Sequence, residues 1–336
     1  MAKVLVTGTA GFIGYHLALR LIADGHEVVG VDDLHPCAFP SLKAQRHRRL
    51  QETPGYTDVV QDLADAEATD ALFATHRPDL VAHLAARTGV RTSVEHPFAY
   101  ERSNVLGTLA VLEAARLHGR PRVVYASSSS VYGDSTAMPW REDDRADTPV
   151  SLYAATKRAG ELMAHAFTAT HGLCTIGLRF FTVYGPFGRP DMAVWTFAEA
   201  IASGEPVPLF DGGNMQRDFT YVDDVVAAVC AALFHPGLDG ARRFNVGAGA
   251  PQGLDTLLHL IETAMGRPAL RKLLPAQAGD VASTWADCSA LEATVGFRPR
   301  VSLQDGIASF ARWFLDHPDI VQTVRSERAR SGRPTR

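Results

Sequence analysis

The stretch "KVLVTGTAGFIG" (residues 3–14) decides the fold. Its first half is a continuous apolar run, the signature of a strand covered on both faces. Its second half carries Gly8, Gly11 and Gly14 and opens an amphipathic pattern over 12–24. Glycines at such a turn let the backbone bend sharply and come close to a pyrophosphate. The helix start beyond them offers unpaired N–H groups and a positive dipole end to that anion. A bland tight turn also needs glycine, so the motif gains its weight from the next two strands. A second run, "EVVGVD", ends at Asp32, where a carboxylate accepts both hydroxyls of an adenosine ribose and repels a 2′-phosphate. The expected cofactor is therefore NAD. A third strand ends at Asp62 and Leu63, placed to meet the adenine edge.

Working outward, apolar runs at 4–7, 27–31, 57–61, 80–83, 122–126 and 175–179 alternate with helical patterns at 12–24, 64–75, 100–117 and 152–170. Such alternation predicts an α/β fold, a Rossmann-type doubly wound parallel sheet built from βαβ units. After residue 179 prolines and glycines crowd "VYGPFGRPDM" and "SGEPVPLFDGGN", which predicts a smaller C-terminal α/β substrate lobe. The helical "VDDVVAAVCAALF" and the strand-like "RRFNVG" return to the first lobe, and helices at 254–265 and 303–314 complete the second. The expected division gives 1–180 and 222–250 to the dinucleotide lobe, and 181–221 and 251–320 to the substrate lobe. The stretch 325–336, "RSERARSGRPTR", is basic and polar without an apolar period, and is read as a disordered tail.

At 336 residues with a net charge of −4, the chain gives no reason to expect nucleic acid or a membrane surface as partner. No apolar run approaches the length of a membrane span. The first residues run directly into a strand with no signal peptide, so the expected location is cytoplasmic. Cys37, Cys174, Cys230 and Cys288 form no CxxC pair, and the histidines lack metal-ligand spacing. Neither a metal nor a disulfide framework is expected.

"YASSSSVYG" (residues 125–133) places four hydroxyls at the carboxyl end of the fifth strand, the edge where open α/β sheets bind ligands. Downstream, Tyr153 and Lys157 in "YAATK" lie four apart, one turn along a helix. A lysine ammonium and an oxidised nicotinamide ring both favour phenolate, so the Tyr153 pKa is expected to move down towards neutrality. Ser128 is read as sharing the reacting proton with Tyr153, and Ser129 and Ser130 as facing the ligand.

Together these residues resemble the extended short-chain dehydrogenase/reductase family of nucleotide-sugar epimerases and dehydratases, from residue 3 to about 314. Within it, "GVRTSVEHPFAYERSNVLGT", "SLYAATKRAGELMAH", "LRFFTVYGPFGRPDM", "QRDFTYVDDV" and "LLPAQAGDV" resemble the UDP-glucuronate 4-epimerases. The resemblance implies an NAD site at Gly8, Gly11, Phe12, Ile13, Gly14, Asp32, Asp62, Leu63, Ala85, Ala86, Asn104, Tyr153 and Lys157. On the substrate side it implies Arg217 at the diphosphate and Gln277 and Asp280 at the uridine. Thr182, Ser129, Ser130 and Arg189 would receive the sugar carboxylate, with Arg91 a further candidate for that pocket. It also implies a homodimer through a four-helix bundle of the helices over 100–117 and 152–170. Departures include Asp33, Arg87 and Ala278, and "HPCAFPSLKAQRHRRL" drifts from the family pattern.

Ser129 and Ser130 discriminate among relatives. Dehydratases of the family carry Asp-Glu there, and UDP-glucuronate decarboxylases carry Glu in the Ser130 slot. Hydroxyls alone equip the chain poorly for elimination. The implied activity is an isomerase, C4 epimerisation of UDP-glucuronate to UDP-galacturonate through a 4-keto sugar without decarboxylation. A UDP-glucose/galactose 4-epimerase, a UDP-glucuronate decarboxylase and an idle NAD or sugar-nucleotide sensor are the alternatives.

Overall fold

The computed structural model describes residues 1–36, 39–275 and 281–330. Seven parallel strands form the central sheet: β1 (Lys3–Thr7), β2 (Glu27–Asp32), β3 (Tyr56–Val60), β4 (Leu80–His83), β5 (Arg122–Ser128), β6 (Thr175–Phe180) and, from later in the chain, Ala241–Val246. Three two-stranded sheets lie outside it. They pair β7 (Thr182–Tyr184) with β10 (Phe219–Tyr221), β8 (Pro206–Phe210) with β13 (Leu270–Leu274), and β9 (Gln216–Arg217) with β12 (Gln252–Gly253). Ala241–Val246 is then β11, and the main sheet runs β11-β6-β5-β4-β1-β2-β3. The order in which the chain lays down strands reverses between β1 and β4, and a crevice opens there above the carboxyl ends of the strands. All six pairings in this sheet are parallel.

The strands form because their apolar residues are covered from both sides: Val4, Leu5 and Val6 are fully buried, as are Val123 and Val124. Helices α1 (Phe12–Ala23), α2 (Pro40–Gln51), α3 (Ala66–His76), α4 (Val90–Glu95), α5 (Pro97–Tyr100), α6 (Gly107–Leu117) and α7 (Leu152–His171) intervene within the first six strands. Beyond them come α8 (Ala193–Ser203), α9 (Val222–Phe234), α10 (Leu254–Met265), α11 (Ser289–Val295), α12 (Leu303–Asp316) and α13 (Pro318–Arg330). Sheet and helix positions agree with the expected Rossmann-type arrangement to within a few residues.

Two expectations need correction, and one segment that the sequence left unassigned is helical. The single helix over 100–117 is interrupted by a π-helical turn over Glu101–Leu106, an irregularity frequent at functional sites. The drifting segment folds into α2, whose buried Leu42, Arg46 and Leu50 fall on one face despite a largely polar composition. The tail read as disordered over 325–336 is helical through Arg330. Its Arg328 is buried, donates to the Pro190 carbonyl at 2.7 Å and pairs with Glu199 at 3.0 Å. Ile320 and Val324 supply the apolar spacing that the basic composition masks.

Candidate active site

The glycines of the loop are fixed by backbone contacts. Gly8 has φ +76°, and its amide donates to the Val31 carbonyl at 2.7 Å. A Cβ on Gly8 would lie 2.8 Å from the Ala85 backbone, and one on Gly14 only 2.2 Å from the Gly8 carbonyl oxygen. The loop thus packs backbone to backbone against the β4 loop that carries Ala85 and Ala86. Gly11 caps α1 without any side-chain hydrogen bond, so the first-turn amides of a twelve-residue helix keep their donors for an anion. That cradle fits a dinucleotide pyrophosphate. Phe12 is buried and Ile13 half-buried just behind it.

Asp32 ends β2 with its carboxylate accepting from the Ala10 amide at 3.0 Å and the Leu34 amide at 3.0 Å. Lys43, from α2, approaches it at 2.7 Å and also reaches Asp33 at 3.3 Å. Sequence reasoning missed Lys43 because it lies in the segment that departs from pattern. Asp62 accepts from the Ala64 amide at 2.9 Å and from Arg102 at 2.8 Å. Leu63 is buried beside it. Asn104 is buried in the π-turn, where its amide bonds both backbone polar groups of Arg87 (2.7 and 3.0 Å) and the Thr156 hydroxyl at 3.0 Å. It therefore sets the β4 loop against α7, with its side chain engaged inside the protein.

Ser151 caps α7 by accepting from the Ala154 amide, which places Tyr153 in the first turn. Tyr153 is half-buried and packs edge-on to Tyr100 at 6.3 Å. Burial raises its phenol above the ordinary value, and the Ser128 hydroxyl and the Arg189 charge act against that rise. The shift towards neutrality expected from the sequence is thus not produced by the chain's own groups. Lys157 is buried, donates to the Ala126 carbonyl at 2.8 Å and is pushed down to about 8 by desolvation. Behind it His83 bonds the Thr7 and Thr108 hydroxyls, and burial together with the Lys157 charge holds it neutral, at about 3.

The serine run divides by role. Ser127 points inward to Glu161 at 2.6 Å, and Glu161 is in turn bidentate with the fully buried Arg179 at 2.8 Å. That node ties β5 and β6 to α7, two turns from Tyr153. Ser128 lies beside the phenol and accepts from the Ser130 amide at 3.2 Å, starting the short turn over Ser129–Tyr132 that leaves Ser129 and Ser130 half-exposed.

Thr182 begins β7, its amide bonded to the Asp218 carbonyl at 3.1 Å. Arg189 forms a two-pronged pair with Asp191, at 2.6 and 3.1 Å, and its charge is felt at Tyr153 and Tyr100. Arg217 bonds the Gln216 carbonyl at 2.8 Å and the Ala282 carbonyl at 3.2 Å. Arg91 is on α4, half-exposed. Gln277 and Asp280 lie outside the described residues. No cluster of metal-ligating side chains occurs among the described residues, and no described helix is long and apolar enough to cross a membrane.

A glycine-rich strand–turn–helix, an acid closing the second strand and a Ser–Tyr–Lys group over the crevice define a dinucleotide-dependent enzyme of the short-chain dehydrogenase/reductase type. The chain belongs to the NAD dependent epimerase/dehydratase family, whose profile matches residues 4–247. It is 42% identical over 329 residues to a probable UDP-glucuronate 4-epimerase of Rhizobium meliloti (strain 1021), covering 93% of this chain and 96% of that one. A crystal structure of UDP-glucuronic acid 4-epimerase from Bacillus cereus, in complex with UDP-glucuronic acid and NAD, superposes with a TM-score of 0.87. That pair is 32% identical over 94% of this chain and 99% of the other. A UDP-glucose 4-epimerase of Thermotoga maritima superposes with a TM-score of 0.86 at 31% identity, with the same coverage.

Proposed function

We propose that the protein inverts C4 of UDP-glucuronate to give UDP-galacturonate, keeping the carboxylate. The observation that carries this reading is the Ser128 hydroxyl at Tyr153, with Ser129 and Ser130 following it in the turn and the Arg189 cation close enough to act on the same phenol. Relatives named for this activity, similar along nearly the whole chain, support it.

NAD held by the glycine loop, Asp32 and Lys157 would supply the acceptor for the C4 hydride and its return to the other face of the sugar. Tyr153 takes the O4 proton as that hydride leaves and gives it back on return, with Ser128 sharing the proton. Lys157, at the next turn, holds the ribose beside the ring. Arg217 anchors the diphosphate, so that the 4-keto sugar turns over while the nucleotide stays fixed.

A ketone at C4 next to a carboxylate on C5 is a β-keto acid, which loses CO₂ when the C5–C6 bond stands perpendicular to the carbonyl plane. Thr182, Ser129, Ser130 and Arg189 hold the carboxylate away from that geometry. Asp191 orients the guanidinium, whose fork has more donors than the pair with Asp191 uses. The half-exposed Leu109, Leu117 and Leu162 on α6 and α7 support a homodimer through a four-helix bundle. In the same reading the sheet lobe holds NAD, the segments 181–221 and 251–320 hold the UDP-sugar, and the protein works in the cytoplasm.

Purified protein incubated with UDP-glucuronate should form UDP-galacturonate, resolved chromatographically from UDP-pentose. Turnover of UDP-glucose in preference, or UDP-pentose as the main product, would overturn the reading.

A further inference from the structure

Arg46 joins the two halves of the site. It projects from α2, is 6% exposed, and donates to the Ala10 carbonyl at 3.0 Å and twice to the Phe187 carbonyl, at 2.7 and 3.2 Å. Ala10 lies inside the glycine loop, and its amide is the donor to Asp32 at 3.0 Å. Phe187 lies two residues before Arg189. One buried guanidinium therefore spans from the residue whose amide meets the Asp32 carboxylate to the loop that carries Arg189.

The Phe187 end is under constraint. Its φ of +55° is left-handed, a region that a bulky aromatic residue avoids unless its surroundings enforce it. Trp313 and Tyr15 pack on its ring with centroids 4.8 and 5.2 Å away, and Arg49 stands 4.8 Å over its face. The same loop is held by His16 at the Pro186 carbonyl (2.9 Å) and by Arg328 at the Pro190 carbonyl (2.7 Å). Arg46 differs from these two in grasping the glycine loop and the Arg189 loop with one rigid fork, so that displacing either carbonyl strains the other.

Resting on the substrate-side reading above, we propose that Arg46 is a positioning residue that couples the cofactor cradle to the Arg189 loop. A dinucleotide seated on the glycine loop then orders residues 185–192, and by reciprocity a ligand held by that loop tightens NAD.

Hydrogen–deuterium exchange of peptides covering 185–192, with and without NAD, tests this without reference to turnover. In the unmodified protein NAD should slow exchange there about fivefold or more, in the range usual for coupled sites. Arg46→Lys keeps the charge and loses the fork. It should still bind NAD by calorimetry, yet show less than about a twofold slowing over 185–192. Arg46→Met should behave alike. If that variant fails to fold, the lysine variant carries the comparison. Equal protection in unmodified and Arg46→Lys protein, no protection in the unmodified protein, or loss of NAD binding in Arg46→Lys each overturns the coupling. A protein that leaves UDP-glucuronate unchanged would overturn the proposed substrate instead, and the exchange result would still decide the role of Arg46.

Discussion

The glycine loop and the Arg189 loop lie on either side of the Arg46 guanidinium and are built in different ways. The first is shaped chiefly by backbone packing: at Gly8, Gly11 and Gly14 any Cβ would meet main chain, with Asp32 and Arg46 bonding the Ala10 peptide groups between them. The second is set by side chains reaching from far along the chain: His16, Arg46 and Arg328 each take one of its carbonyls. Local construction yields a rigid, motif-like cradle suited to a ligand that stays. Long-range construction yields a surface whose position depends on many partners, which in the proposed function suits a substrate that must turn over within the site.

That contrast can be broken experimentally. Gly14→Ala places a methyl 2.2 Å from the Gly8 oxygen and should abolish NAD binding, read by calorimetry on folded protein. Retained binding would show the cradle to be more yielding than its packing implies. Tyr153→Phe removes the base and should cut kcat by about 10²–10⁴-fold while NAD still binds. Arg179→Met leaves Glu161 paired with Arg158 and Ser127 but removes its two bonds to Arg179, and should cost about 1.5–3 kcal/mol in denaturant unfolding, the range for hydrogen bonds to charged groups. An unchanged midpoint would mean that the node holding α7 against the sheet carries little stability. Arg189→Ala should release UDP-pentose alongside slowed epimerisation. If turnover falls with no rise in CO₂, the carboxylate clamp is wrong.

The mildest test is acid. His83 and His16 are depressed by burial to about 3 and about 4, below the unfolded value near 6.5. Above about pH 6.5 both states hold them neutral and nothing changes. Below it the unfolded chain takes up protons that the folded one refuses, so stability falls with pH until the folded values are reached. Each histidine should contribute about 1.4 kcal/mol per pH unit in that window. His83→Asn should flatten the acid limb of a pH–stability curve, and an identical slope would refute the assignment.

Sequence reasoning reached the glycine loop, Asp32, the Ser–Tyr–Lys group and all seven sheet strands, because each is written in contiguous residues with a short-range physical reason. It missed α2, where Leu42, Arg46 and Leu50 are the buried face of an otherwise polar helix. It also missed α13, whose arginines read as solvated although Arg328 is buried. Both helices take their stability from distant partners: Ser41 of α2 bonds Glu327 of α13 at 2.9 Å, across 286 positions. For Tyr153, spacing revealed the neighbouring lysine, while the burial that raises the phenol emerged only in three dimensions.

The bond from Arg328 to Pro190 joins residues 138 positions apart. During synthesis the glycine cradle can close as soon as its own strands emerge, whereas the Arg189 loop waits for nearly the whole remaining chain to leave the ribosome. A chain cut short before α13 would therefore keep the His16 and Arg46 bonds to that loop and lack the Arg328 brace.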